Sequence, residues 1–338
     1  MVEQRTENPR VTSSSLVPGK LKQFTTNTIT AMQTNFVYKV YQIYRQNYVH
    51  KDKLIGISSG NDSIVLVFIM SHIQFLLNQQ INLLHCNHFY QKYNFYYIHE
   101  IFKISYLLRG TLIIGSPIQQ SFDETNNRNW RQRLFKRALL LKEIEYIFLA
   151  HTKTDKNETF FFNLIRGTSL TGCSNFTTQK IKLDLSCFST SLNSNKLNLK
   201  TRQVFNFNRP LLAFSRNQLK KLSQINSLPY SLDPTNLNIS FSRNRIRLIL
   251  FPILKNYFNF NIETQLEKFL VQAETDSQFF ESNANKLAQS IQSRKTLTKL
   301  EFKKLPKAFQ LKILNLLIKK YSGRDVSFNL MRRLLNII

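Results

Sequence analysis

An α/β fold, a doubly wound parallel sheet with a small all-helical C-terminal domain, is predicted by three features of this 338-residue sequence. Short β-type runs alternate with helix-type runs from residue 35 to about residue 226. Polar or small-residue clusters follow the β runs. Beyond Phe251, strand signals are few. Alternation of this kind buries a parallel sheet under helices on both faces, and ligands of such sheets bind beyond the carboxyl ends of the strands.

The elements follow in order. Asn35–Tyr48 reads as a helix, with Phe36, Val40 and Ile43 at i, i+4 and i+7. Lys53–Ile57 (KLIGI) is a β run that ends in Ser58-Ser59-Gly60-Asn61-Asp62-Ser63, and an apolar helix continues to about Leu77. Asn82–Cys86 is a second β run, Tyr93–Leu108 a helix, and Thr111–Ile114 a third β run. Asn126–Lys142 is a basic helix, Tyr146–Ala150 a fourth strand, and Lys156–Ile165 a helix stopping near Gly167. Gln179–Gln203, rich in Ser, Asn and Lys, reads as a hairpin or a long surface loop. Arg209–Leu212 resumes order and Arg216–Asn226 is helical. Glu263–Arg294, Lys307–Tyr321 and Ser327–Ile338 read as helices. The predicted organisation is an extension over 1–34 that does not fold, an α/β domain over 35–252 and a helical domain over 253–338.

Composition narrows the partners. Lys and Arg number 47 against 20 Asp and Glu, a net charge of +27. Residues 1–150, 151–250 and 251–338 carry +8, +11 and +8, so the charge is not confined to a tail. That excess disfavours an acidic-protein partner as first reading and favours a polyanion such as nucleic acid. The 33 Asn and heavy use of Phe, Ile and Lys also fit A/T-rich coding, so part of the Lys excess is drift. The three cysteines, Cys86, Cys173 and Cys187, show neither CxxC nor His-Cys metal spacing. Apolar runs such as Ile64–Met70 are too short to span a bilayer, so no membrane partner is expected.

Four clusters carry chemistry. Ser58–Ser63 joins a buried strand to a helix through small residues, which exposes backbone N–H groups and a helix N-terminus to an anion. It lacks the GxxxxGK[ST] pattern of a Walker loop. Its bland alternative is an ordinary strand–helix turn. His85-Cys86-Asn87-His88 follows the second strand, where polar strand-end residues are common. His151 opens HTKTDKNET, in which Asp155 and Glu158 share a helix face at i and i+3. Those carboxylates can hold a cation or accept a proton, or Asp155 can simply cap the helix. Asp233-Pro234-Thr235-Asn236 precedes Arg243-Asn244-Arg245-Ile246-Arg247, whose alternate arginines suit phosphate contacts or a solvated turn.

In this order and spacing, the clusters resemble one family, tRNA(Ile)-lysidine synthase. Its pattern runs SGGxDS, HxNH, ExxAR, HxxDDxxET with LxRGxGxxG, RPLL, DxxN and RNRIR. This sequence has SSGNDS, HCNH, HTKTDKNET with LIRGTSLTG, RPLL, DPTN and RNRIR. The match covers about Asn35 to Pro252 and continues weakly into LPKAFQLKILNLL. Three positions depart from it. Ser59 replaces a Gly, which is tolerated unless the position requires positive φ. Asn129 falls where ExxAR has Glu, with Arg133 as its Arg. Thr154 replaces the first of two adjacent acids.

The resemblance implies a pyrophosphate-loop (PP-loop) ATP pyrophosphatase fold of the adenine nucleotide alpha hydrolase type. It implies a ligase that adenylates C2–O of the wobble cytidine in an isoleucine tRNA with a CAU anticodon, and then joins free lysine there. Under it, Ser58, Ser59, Gly60, Asn61, Asp62 and Ser63 bind ATP, with Asp62 also near Mg²⁺. Arg133 assists adenylation or meets tRNA, Asp155 and Glu158 hold the lysine and take its proton, and His88 and His151 line the pocket. Arg166, Arg209, Arg243, Arg245 and Arg247 meet phosphates of ATP or tRNA. Other readings are a tRNA thiolase of the same fold and a non-catalytic tRNA-binding descendant. The expected compartment is a plastid (the chloroplast stroma), with a bacterial cytoplasm as alternative. The oligomeric state is open, a homodimer included.

Overall fold

The computed structural model describes residues 36–42, 52–87, 94–117, 124–169, 172, 179–184, 202–231, 233–293, 299–322 and 328–337. The 1–34 extension, His88, Cys173 and Cys187 lie outside the described residues. The described residues within Met1–Phe162 and Phe176–Ile253 form one compact unit, and those within Asn163–Asn175 and Leu254–Ile338 form another.

The first unit is built on a six-stranded sheet. Its strands are β1 (Lys53–Ile57), β2 (Asn82–Cys86), β3 (Thr111–Gly115), β4 (Tyr146–Phe148), β5 (Gln179–Asp184) and β6 (Arg202–Asn208), in the order β3-β2-β1-β4-β6-β5. Five are parallel, and β5 pairs antiparallel with β6 at one edge. The stretch 179–203, expected to be a hairpin or a long surface loop, supplies β5, but the partner strand β6 lies mostly beyond it and is also the fifth parallel strand, a role not anticipated. Arg202–Asn208 is the longest of the six strands, and the alternation in Val204–Asn208 suits a strand, but nothing local marks it as a partner of β4.

Side chains alternate across the sheet as the pleat requires. Ile55, Ile57, Leu83 and Phe148 enter one core, while Leu54, Leu84 and Ile147 enter the other. Helices α1 (residues 36–42), α2 (Asn61–Leu76), α3 (Asn94–Leu107) and α6 (Arg216–Ile225) contribute to the first core, and α4 (Glu124–Leu141) to the second. Every residue of α2 from Ser63 to Met70 is buried. That explains why its sequence is apolar all round rather than striped. Full burial of each Ile, Leu, Val or Phe there is worth about 1.5–3 kcal/mol, so α2 is clamped at the centre of the unit.

In the second unit, α7 (Ile262–Ser293) buries Leu266, Leu270, Ala273, Ser277, Ala284 and Ala288 along one stripe. It packs against α9 (Lys307–Ser322), which follows the short α8 (Lys299–Lys304) and precedes α10 (Phe328–Ile337). Phe280 and Phe309 meet with ring centroids 4.6 Å apart, and Lys312 pairs with Glu281 at 2.7 Å. No helix among the described residues is long and apolar enough to cross a membrane.

Candidate active site at the strand ends

The chain runs from β1 outward to β2 and β3, then returns to lay β4 on the other side of β1. The carboxyl ends of β1 and β4 thus flank the point where strand order reverses, which is where such sheets hold ligands. Helix α2 starts after β1 and α5 (Lys153–Ile165) after β4, which brings their first turns together.

The loop after β1 is knitted by its own serines. The Ser63 hydroxyl lies 2.6 Å from the Ser58 carbonyl and 2.9 Å from the Gly60 carbonyl, and accepts from the Ser58 N–H at 3.1 Å. Ser58 and Ser63 hydroxyls are 2.9 Å apart, and the Gly60 N–H donates to Ser58 Oγ at 3.3 Å. The N–H groups of Asn61, Asp62 and Ser63 belong to the first helical turn and so lack intrahelical acceptors, as at any helix start. Ser59 is not at positive φ, so its replacement of Gly carries no backbone strain. Its carbonyl accepts from the Ser231 N–H at 2.8 Å, which buttresses the loop from outside.

Three carboxylates converge on one guanidinium. Arg216, the first residue of α6, donates from Nε to Asp62 Oδ2 at 3.2 Å, from Nη2 to Asp155 Oδ1 at 2.7 Å and from Nη1 to Glu158 Oε1 at 3.3 Å. Arg247 grips Glu158 with two bonds, Nε to Oε1 at 2.6 Å and Nη2 to Oε2 at 2.8 Å. With all five groups ionised the cluster carries one net negative charge. Burial disfavours the charge on Arg216, but the carboxylates outweigh it and hold its pKa above the ordinary value. Burial pushes the Asp62 carboxyl up; Arg216 pulls it back, and Asp155 adds to the rise.

Sequence reasoning brought Asp62, Asp155 and Glu158 forward but passed over Arg216. Its one local signal is Ser215-Arg216-Asn217-Gln218, a capping box closed by Ser215 and Gln218. That box fixes where α6 begins, and the Arg216 N–H then donates to Thr154 Oγ1 at 3.2 Å. Thr154, where the family pattern has an acid, thus ties α6 to α5. Asp155 also has the capping role weighed for it. Its Oδ2 accepts from Thr152 N at 2.8 Å and Oγ1 at 2.9 Å, while its own N–H donates to Thr152 Oγ1 at 3.3 Å.

The arginines of RNRIR separate. They lie on α-helical Ser242–Arg245 and π-helical Ile246–Leu250, so alternate residues do not share a face. Arg247 turns to Glu158, Arg243 lies over the Phe162 ring at 5.3 Å, and Arg245 meets Ser240 O and Ser242 Oγ at the surface. The expected row of phosphate contacts is therefore not presented as a row. Asn244 builds the scaffold: its amide donates to Thr235 O and Asn238 O, both at 2.8 Å, and Asp233 caps the Pro234–Leu237 turn. Arg166 is exposed and groups with the second unit.

A cationic side faces the carboxylates. Burial, then the charge of Arg209, pushes His151 down to about 4, with Arg131 and Arg243 adding to the effect and Asp155 opposing it. Burial also lowers Arg209, and Arg128 lowers it further. On α4, Leu134 and Ala138 pack into the core, while Arg131 and Arg128 are solvent-exposed yet near enough for their charges to act on His151 and Arg209. Arg133, two residues past Arg131, is exposed on another face and makes no polar contact with these groups. The Glu-x-x-Ala-Arg spacing is also met by Glu124 to Arg128, with Asn127 for Ala, and Arg128 is near enough to Arg209 to lower its pKa. His85 turns inward, with Nδ1 3.0 Å from the Ile57 carbonyl. Burial pushes the Cys86 thiol up to about 12, the reverse of what a nucleophilic thiolate needs.

A nucleotide-type anion loop set against a carboxylate–arginine cluster at the switch point defines a PP-loop protein. The chain belongs to the PP-loop family: the PP-loop domain matches residues 32–254. Among its relatives, it is 28% identical to the chloroplastic tRNA(Ile)-lysidine synthase of Cyanidium caldarium over 80% of this chain and 78% of that protein. It is 28% identical to the chloroplastic enzyme of the same name from Pyropia yezoensis over 88% and 86%. It is 25% identical to the tRNA(Ile)-lysidine synthase of Thermosynechococcus vestitus over 81% and 75%. The fold is shared with the U34-tRNA thiolase NcsA of Methanococcus maripaludis, with a TM-score of 0.51 at 16% identity over 71% and 78% of the two chains.

Proposed function

We propose that the protein is a tRNA(Ile)-lysidine synthase, an ATP-dependent ligase that modifies the wobble cytidine of an isoleucine tRNA with lysine. The supporting observation is the meeting of Asp62 from the anion loop with Asp155 and Glu158 around Arg216, in a chain similar to synthases along more than three quarters of its length. The first half-reaction makes the cytosine C2 oxygen a leaving group by transferring AMP to it, with release of pyrophosphate. The N–H groups at the start of α2 and the hydroxyls of Ser58 and Ser63 receive the ATP phosphates. Arg128, Arg131 and Arg209 supply positive charge where the transition state gathers negative charge. His151, kept neutral by burial and its cationic neighbours, lines this pocket without adding charge.

In the second half-reaction the lysine ε-amine attacks C2 and AMP departs. Only the neutral amine is a nucleophile. Asp155 and Glu158 bind the incoming ammonium and accept its proton. Asp62, one carboxylate beside a phosphate loop, fits Mg²⁺, which commonly takes one or two carboxylates and completes its shell with phosphates and water. Bound there, Mg²⁺ would neutralise phosphate charge. The chloroplastic and cyanobacterial relatives support a plastid location.

A thiolase needs a reactive thiol; burial makes Cys86 unsuited to that role, and Cys173 and Cys187 lie outside the described residues. The decisive assay is ATP–pyrophosphate exchange dependent on an isoleucine tRNA with a CAU anticodon, followed by transfer of labelled lysine to that tRNA. Both should occur, and Asp62→Ala should abolish exchange. Binding of the tRNA without exchange would mark a non-catalytic descendant; full turnover by Asp62→Ala would remove the site assignment.

A further inference from the structure

We infer that Arg216 is an internal stand-in for the ammonium group of the amine co-substrate, which must displace its guanidinium to reach Asp155 and Glu158. The inference rests on the lysine-ligation reading and adds a competitor and a coupling to it.

Acceptor geometry carries the argument. Asp155 Oδ2 is used twice by the Thr152 capping box, and Oδ1 is held by Arg216. Glu158 Oε1 receives both Arg216 and Arg247, and Oε2 receives Arg247. A carboxylate offers about four lone-pair positions, so an ammonium seeking both groups meets Arg216 at the oxygens they share.

The two arginines are not equally held. Arg247 makes a two-bond fork to one carboxylate, at 2.6 and 2.8 Å. Arg216 spreads single bonds over three carboxylates, two of them as long as 3.2 and 3.3 Å. Its side chain is 31% exposed and leaves from the first residue of α6, so it can rotate toward solvent while the helix stays capped. Exchange of Arg216 for an ammonium is isoelectric: the cluster keeps one net negative charge, and no new charge is buried. A lysine ammonium, with three donors on a flexible stem, suits three diverging acceptors.

Asp62 adds the coupling. It belongs to the nucleotide loop, so any cation that arrives with ATP and engages Asp62 removes one of the three bonds that hold Arg216. Nucleotide binding then eases amine binding, and the reverse must hold by linkage.

The test is calorimetric titration of L-lysine into the full-length protein, with and without a non-hydrolysable ATP analogue and Mg²⁺. Arg216→Gln should bind lysine about tenfold tighter than wild type, within the usual span of coupling between sites. The analogue should tighten lysine binding to wild type and have no such effect on Arg216→Gln. Arg216→Lys, whose single-centred charge cannot touch all three carboxylates, should fall between them. Equal or weaker lysine binding by a folded Arg216→Gln would overturn the inference and make Arg216 a supporting residue. If Arg216→Gln does not fold, Arg216→Lys decides by the same sign. Intact tRNA-dependent exchange with unchanged lysine affinity defeats only the stand-in. Absence of exchange in wild type defeats the functional reading as well.

Discussion

Glu158→Gln should separate the two proposed half-reactions. The substitution keeps shape and removes one charge at a side chain that is 3% exposed. In the native cluster that charge accepts three arginine bonds, two from Arg247 and one from Arg216. Removing one partner of a buried pair costs about 3–5 kcal/mol, because the remaining charges lose compensation. The lower part of that range is expected here, since Gln still accepts through Oε1 and both arginines are partly exposed. In lysine transfer, a charge-assisted bond to the ammonium becomes a neutral one. That weakening is worth about 1–2 kcal/mol, or roughly 5- to 30-fold. Loss of a proton acceptor adds about 10²-fold or more. Adenylation, proposed to draw on the α2 N-terminus and the α4 arginines, should change less than about threefold in the protein that remains folded. The assay pairs tRNA-dependent pyrophosphate release with transfer of labelled lysine, each normalised to the folded fraction from circular dichroism. An equal loss in both half-reactions would refute the assignment of Glu158 to the amine.

Three further outcomes are expected. On α4, Arg131→Ala should slow adenylation at least tenfold and Arg133→Ala should not, read by pyrophosphate release; the opposite order would return ExxAR to the Asn129–Arg133 register. Asn157 on α5 is 1% exposed, and neither amide atom has a hydrogen-bond partner among the described residues. Asn157→Ala should therefore be neutral or stabilising by about 1 kcal/mol in thermal denaturation, despite the smaller side chain; a loss above about 1 kcal/mol would show that the amide is satisfied. Lys53 is buried at the start of β1, its Nζ donating to Gln79 Oε1 at 2.5 Å, and burial lowers its pKa to about 8. Between pH 8 and the unfolded value of about 10.4, the unfolded chain holds more protons, so wild-type stability should rise with pH across that window. Lys53→Met should flatten that rise, and an unchanged pH slope would count against a buried charged lysine.

Much of the architecture was legible because it depends on local pattern. KLIGI, NLLHC and TLIIG are apolar runs of strand length, and their observed spans differ from expectation by at most one residue. Helices with clear periodicity, such as Arg216–Ile225 and Lys307–Ser322, behaved alike. β6 was missed because pairing with β4 is a nonlocal event: Tyr146 faces Asn206 across sixty residues of chain. The site divided in the same way. Asp62, Asp155 and Glu158 could be found by motif, since each sits in the first turn or two of a helix after a strand.

The sequence by itself determined the fold class, the anion loop at Ser58–Ser63 and the carboxylates, because strand–turn–helix order and side-chain chemistry are local properties. Only the tertiary structure decided which cations meet those carboxylates. Arg216 lies 154 residues from Asp62, and Arg247 lies 89 from Glu158. It also decided that Arg131 and Arg128 of α4 act on His151 and Arg209, because the rotation of a helix is set by the residues it buries against the sheet. Charge composition announced a polyanion partner, but Arg216 and Arg247 were distinguished from the other cations only when folding gave them acids to hold.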